Sequence, residues 1–163
     1  MSVKAEAVVA VSAGFLTMLV FGSIYTFGAL TPYISSYLYY HEDATTSTAL
    51  SILFTSTLFL INVGTFISTM FLSHVSNRLL SILAVVAMSS SVFISSFMTK
   101  FVGYIFFYGL TYGFSIGVGY FPPVKNAYLH LPTKKGICSG IIMSGFGLGS
   151  ALFNIIILEL INP

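Results

Sequence analysis

The sequence predicts an all-α membrane protein with five transmembrane helices, and three observations carry that reading. Charged residues make up 6% of the 163 positions and hydrophobic residues 56%. Mean hydropathy is +0.98. Apolar runs recur along the chain, broken by short polar stretches. A soluble domain carries about 25% charged residues. So few charges cannot cover a globular surface, and the lipid bilayer is the natural solvent.

A spanning helix needs about 20 mostly apolar residues. Five segments qualify, at 8–37, 46–72, 79–98, 101–130 and 134–158, within one transmembrane domain over 1–163. The first contains Gly14, Gly22, Gly28 and Pro32. Proline removes a backbone donor and clashes one turn back, which predicts a bend between residues 28 and 32. This run is too long for a signal-peptide core and reads as a retained first span. The second span follows the turn His41-Glu42-Asp43. The fourth contains Pro122-Pro123, where a kink is expected. Thr133 is an expected N-cap for the fifth, its hydroxyl accepting from an orphan amide.

Short connections make consecutive helices antiparallel. With the N-terminus inside, Lys4, Arg78, Lys125, Lys134 and Lys135 share the inner side, against Lys100 outside. That asymmetry is what the positive-inside rule expects. Lys125 lies two residues beyond the proline pair and can snorkel to the interface.

Glycines recur every four residues at Gly109, Gly113 and Gly117, and in the pairs Gly136/Gly140 and Gly145/Gly149. Such spacing places them on one helix face, where close packing of spanning helices uses small residues. The run 145–149 lacks the lysine–serine/threonine pair of a phosphate loop and follows no strand, so it is read as packing.

Several function classes are set aside. A net charge of +2 is too small for a nucleic-acid surface. The single cysteine, Cys138, permits no disulfide framework. His41, Glu42 and Asp43 are adjacent in sequence and read as a hydrated turn, so no metal site is expected. No nucleophile–base–acid set appears, so neither catalysis nor a cofactor is expected. The mid-membrane polar groups are Tyr25, Thr26, Asn62, Tyr112, Ser115, Tyr120 and Ser144. Each either bonds backbone or lines a path for a small planar solute.

Several stretches resemble the major facilitator superfamily, and more narrowly its oxalate/formate antiporter and monocarboxylate transporter branch. They are Gly117-Val-Gly-Tyr120, Leu131-Pro-Thr-Lys-Lys-Gly136, Ser144-Gly-Phe-Gly-Leu-Gly149, and Gly22-Ser-Ile-Tyr-Thr-Phe-Gly28 leading to Pro32. The resemblance implies an incomplete N-terminal half of such a transporter, with Tyr25, Tyr120 and Phe146 facing a small carboxylate. Three departures accompany it. Ser73, His74 and Ser76 stand where the superfamily's loop between helices two and three has an acid, a base and a glycine, and only Arg78 matches. The family has about twelve helices in two halves, against five here. No lysine lies within the first span, and desolvating a carboxylate without a cation is costly. These departures lead to the expectation of a truncated, transporter-derived and non-transporting accessory subunit of a larger membrane complex, covered by other membrane chains. Part of a split or incompletely represented carboxylate transporter is the alternative. The mitochondrial inner membrane is a compartment that would suit the accessory role.

Overall fold

The structure, a computed structural model, describes residues 3–41, 47–71 and 75–161. Among them every regular element is helical, and five helical stretches are long and apolar enough to cross a membrane: Ala5–Tyr40, Thr48–Phe71, Asn77–Ser95, Phe101–His130 and Pro132–Ile161. Glu42, Asp43, Ser73 and His74 lie outside the described residues, so the turn and loop readings there have no structural counterpart.

The fourth span is the hub. It packs against the second, third and first spans, and the fifth lies along the first. All five contribute to one buried core: Phe21 and Ile24 from the first, Leu53 from the second, Met88 from the third, Tyr112 and Ile116 from the fourth, and Ile142 from the fifth. Cys138 is buried there as a packing residue. Phe59, Phe66, Phe93, Ile155 and Leu160 point outward, as a lipid-facing surface requires.

The first span consists of α1 (Val3–Phe21), a 3-10 segment (Gly22–Thr26) and α2 (Phe27–Tyr40). The irregular segment therefore lies before the predicted bend, and α2 continues through Pro32. Packing explains the place of the irregular segment. A methyl group on Gly22 would meet the Phe146 carbonyl oxygen and sit 2.9 Å from the Ser150 nitrogen, so the first and fifth helices touch backbone to backbone there.

The second span is α3 (Ser47–Phe71) and the third is α4 (Asn77–Ser95). α4 starts two residues before and ends three residues before its sequence-derived bounds. Ser76 caps its start, accepting from the Leu79 amide at 3.3 Å. At its end the Ser95 and Ser96 hydroxyls each donate to a carbonyl three residues back. Such local bonds compete with helix continuation.

The fourth span opens with α5 (Phe101–Tyr104), widens into a π-helical segment (Ile105–Thr111) and continues as α6 (Tyr112–His130). α6 stays helical through Pro122 and Pro123, both buried. Pro122 has no amide to offer the Val118 carbonyl. The Ser68 hydroxyl of the second span donates to that oxygen instead, at 2.7 Å. In hydrocarbon such a substitution is what lets a proline stay within a span. Ser91 of the third span likewise donates to the Phe107 carbonyl inside the π segment, at 2.7 Å. The wider π turn offsets the angular advance of the flanking α turns. Tyr104, Tyr108 and Tyr112 consequently stack, with ring centroids 5.1 and 4.9 Å apart and planes within 15°.

The fifth span opens with a 3-10 turn (Pro132–Lys134) and continues as α7 (Lys135–Ile161). Thr133 lies inside that turn and does not cap. Proline stands first in the turn instead, where its missing donor is harmless.

The glycines divide into groups. Methyls on Gly113, Gly117, Gly145 and Gly149 would collide with carbonyl oxygens of Thr57, Ile61, Phe15 and Leu19 on neighbouring spans. Gly64 faces Gly117 and admits the same approach. Gly109 has ordinary room beside Leu53 at 3.5 Å. Gly136 and Gly140, expected in packing, have no atom within 4 Å of the methyl position and make no close contact in this bundle. The fifth helix turns that face away from the first, because Gly145 and Gly149 define the contact.

Candidate functional site

Tyr25, Tyr120 and Phe146 come from the first, fourth and fifth spans, and the structure brings them together. Tyr25 sits in the 3-10 segment held against the fifth helix at Gly22. Phe146 follows Gly145, whose contact with Phe15 draws α7 onto α1. Its ring meets that of Tyr25 edge to face, with centroids 5.5 Å apart and planes at 82°. Tyr120 meets Phe146 the same way at 6.0 Å and 86°. Gly119, next to Tyr120, leaves space that the Phe21 ring tip fills. The Tyr120 hydroxyl donates to Met143 Sδ at 3.3 Å, which fixes its ring.

These rings line a depression of about 290 Å³ completed by Ile24, Leu58, Ile61, Asn62 and Thr65. Small-molecule pockets run from about 300 to 1,000 Å³, so this one suits a small solute. It is open on one side, and Tyr25 is 52% exposed. Asn62 and Thr65 place the second span in the site, which the sequence reading did not anticipate for Thr65. Their signal was available: both lie on the helix face that includes Ser68 at i+3 from Thr65. Asn62 Nδ2 donates to the Leu58 carbonyl at 2.9 Å, leaving a second amide hydrogen and Oδ1 for other partners. Thr65 Oγ1 donates to the Gly117 carbonyl at 3.3 Å.

The remaining mid-membrane polar groups bond protein. Thr26, Ser115 and Ser144 donate to carbonyls of their own helix. The Tyr112 hydroxyl pairs with Ser23 Oγ at 3.0 Å. These groups are consumed structurally, whereas Tyr25 presents its ring and hydroxyl to the open side.

Among the described residues, no charged side chain lines the depression. Arg78, Lys134 and Lys135 are exposed near helix starts, and Lys125 is half-buried. Lys135 Nζ lies 5.9 Å above the Tyr128 ring, a cation–π contact across the connection between the fourth and fifth spans. The site therefore presents aromatic rings and hydrogen-bond donors to a small solute, and its described residues supply no countercharge.

Comparison with known proteins gives a limited likeness. A stretch of 56 residues is 38% identical to apicoplast pyruvate carrier 1 of Toxoplasma gondii, covering 34% of this chain and 10% of that relative. The matched part thus spans about a tenth of the curated relative's length. No family model matches the chain, and no solved structure matches it. The five apolar spans mark this chain as an integral membrane protein, and the short likeness is to a protein named as a carrier.

Proposed function

We propose that this bundle forms one wall of a carrier path for a small planar carboxylate of the pyruvate type. A second helical bundle, in the same or another chain, supplies the opposite wall and the positive charge. The observation that carries this reading is the convergence of Tyr25, Tyr120 and Phe146 on one open depression midway along the spans. Support also comes from the stretch shared with a protein named as a pyruvate carrier. The arrangement fits descent from a major facilitator ancestor, whose sites lie between two bundles. The chemistry is binding and release, not catalysis, and an organellar membrane, such as the mitochondrial inner membrane, is the compartment we infer.

A second reading rests on the uncharged lining of the depression. A carboxylate stripped of water without a cation is strongly disfavoured. On this reading the chain is a non-transporting accessory subunit of a larger membrane complex, and its aromatic face is a contact surface.

One experiment separates the two. The chain is purified under mild detergent with whatever accompanies it, reconstituted into liposomes and assayed for labelled pyruvate uptake. The carrier reading expects saturable uptake by the purified particle, reduced at least tenfold by Phe146→Ala. Absence of uptake by an intact particle, together with loss of a larger complex on deletion of the gene, would establish the accessory reading instead.

A further inference from the structure

A second cavity, of about 530 Å³, opens between the first, third and fourth spans at the end of the bundle where Arg78 and His130 lie. The aromatic depression is lined by the first, second, fourth and fifth spans. The two cavities therefore flank the first–fourth helix pair on different sides. The fifth span, which contributes to the aromatic site, contributes nothing to this one.

Its lining is chemically mixed. Glu6 comes from the first turn of the first span and Arg78 from the first turn of the third, while Asn126 and His130 come from the last turns of the fourth. Val9 and Ile82, both more than half exposed, continue the cavity along the spans as an apolar slot. A carboxylate and a guanidinium thus line one space, and no ion pair joins them among the described residues. The opposite charges are set on different helices with room between them. An occupant with two charges of its own satisfies that pattern better than a simple anion, which Glu6 would repel.

We infer that this cavity seats a phospholipid headgroup carrying both a phosphate and a primary ammonium. Arg78, with Asn126 and His130 as further donors, holds the phosphate. Glu6 accepts from the ammonium. The acyl chain of the same lipid lies in the slot at Val9 and Ile82. The phosphate chemistry follows from guanidinium geometry, which matches phosphate oxygens bidentately. The choice of a lipid over a soluble phosphate follows from the apolar slot and from the cavity's place at the lipid-facing third span. Basic pockets between spanning helices at the headgroup level hold lipid phosphates in other membrane proteins, and here Glu6 adds a partner for an ammonium. The inference is independent of the carrier reading.

The test uses the full chain in detergent, exchanged into an equal mixture of phosphatidylethanolamine, phosphatidylcholine and phosphatidylglycerol, with retained lipid counted by native mass spectrometry. Phosphatidylethanolamine should exceed each of the others by about fivefold. Glu6→Gln should bring phosphatidylglycerol up to parity. Arg78→Gln should reduce all three by about tenfold, and Arg78→Lys should restore part of the loss. Circular dichroism of each variant should match the parent, since Arg78 is exposed. Equal retention of the three lipids, or wild-type retention by both Glu6→Gln and Arg78→Gln, would overturn the inference. Displacement of the retained lipid by millimolar inorganic phosphate would overturn it in favour of a soluble-phosphate site.

Discussion

Replacing Gly149 by alanine and Gly140 by alanine makes the same chemical change on one helix, and the structure predicts opposite outcomes. At Gly149 the added methyl runs into the Leu19 carbonyl oxygen and lies 2.8 Å from the carbonyl carbon. The obstacle is backbone, which cannot swing aside, so the first and fifth helices must separate. Overpacking of this kind costs about 1–3 kcal/mol. Alanine's better helix propensity returns about 1 kcal/mol. The net is a loss of up to about 2 kcal/mol. At Gly140 nothing lies within 4 Å of the methyl, so only the propensity gain remains. Unfolding of the purified chain in mixed micelles, followed by far-ultraviolet circular dichroism against increasing dodecyl sulfate, measures both. Gly149→Ala should unfold at lower denaturant than the parent, and Gly140→Ala at equal or higher denaturant. Equal shifts in the same direction would refute the assignment of the first–fifth contact to Gly149. Gly117→Ala, which meets the Ile61 carbonyl and lies 2.9 Å from the Thr65 nitrogen, should behave like Gly149→Ala.

Further predictions concern hydrogen bonds and topology. Ser68→Ala should destabilise by about 1 kcal/mol, because the Val118 carbonyl loses its hydroxyl donor. In a double-mutant cycle with Pro122→Ala, which restores the natural amide donor, most of that cost should disappear; a fully additive cycle would show that Ser68 does not serve the proline. Ser91→Ala should loosen the π segment, seen as faster amide exchange around Phe107 than in the parent, while Ser90→Ala, on the exposed face, should leave exchange unchanged. Impermeant labelling of single cysteines at 100 and 134, in a chain lacking Cys138, should modify the two from opposite sides of the membrane.

The five spans were legible because hydropathy alone dictates them, and their order of packing was not. Four-residue spacing found Gly113, Gly117, Gly145 and Gly149, which do meet neighbouring backbone. The same spacing could not separate them from Gly136 and Gly140, because periodicity states which residues share a face and not whether a helix lies against it. Proline did not mark the turns that depart from α geometry. Pro32 lies inside α2, and the segment that departs from α geometry is Gly22–Thr26, where the fifth helix presses. Pro122 sits inside α6, which stays helical, and the carbonyl it frees is bonded by Ser68, a residue 50 positions away. Such long-range substitution leaves no local mark. Tyr25, Tyr120 and Phe146 were singled out through family resemblance, and the contribution of Thr65 became visible only once the second span was placed beside them. The widened turn at Ile105–Thr111 had one trace in the sequence: tyrosines at 104, 108 and 112, a spacing that a uniform α-helix would carry slowly around its axis.

That tyrosine column has an optical consequence. The chain contains ten tyrosines and no tryptophan, so its near-ultraviolet absorption is nearly all phenolic. Rings held about 5 Å apart and almost parallel couple their electronic transitions, and Phe27 closes on Tyr108 from the side at 5.6 Å. Asymmetric coupling of this sort gives dichroic bands that vanish when the fourth helix leaves its partners. The protein thereby carries its own spectroscopic gauge of bundle assembly, readable without any attached dye.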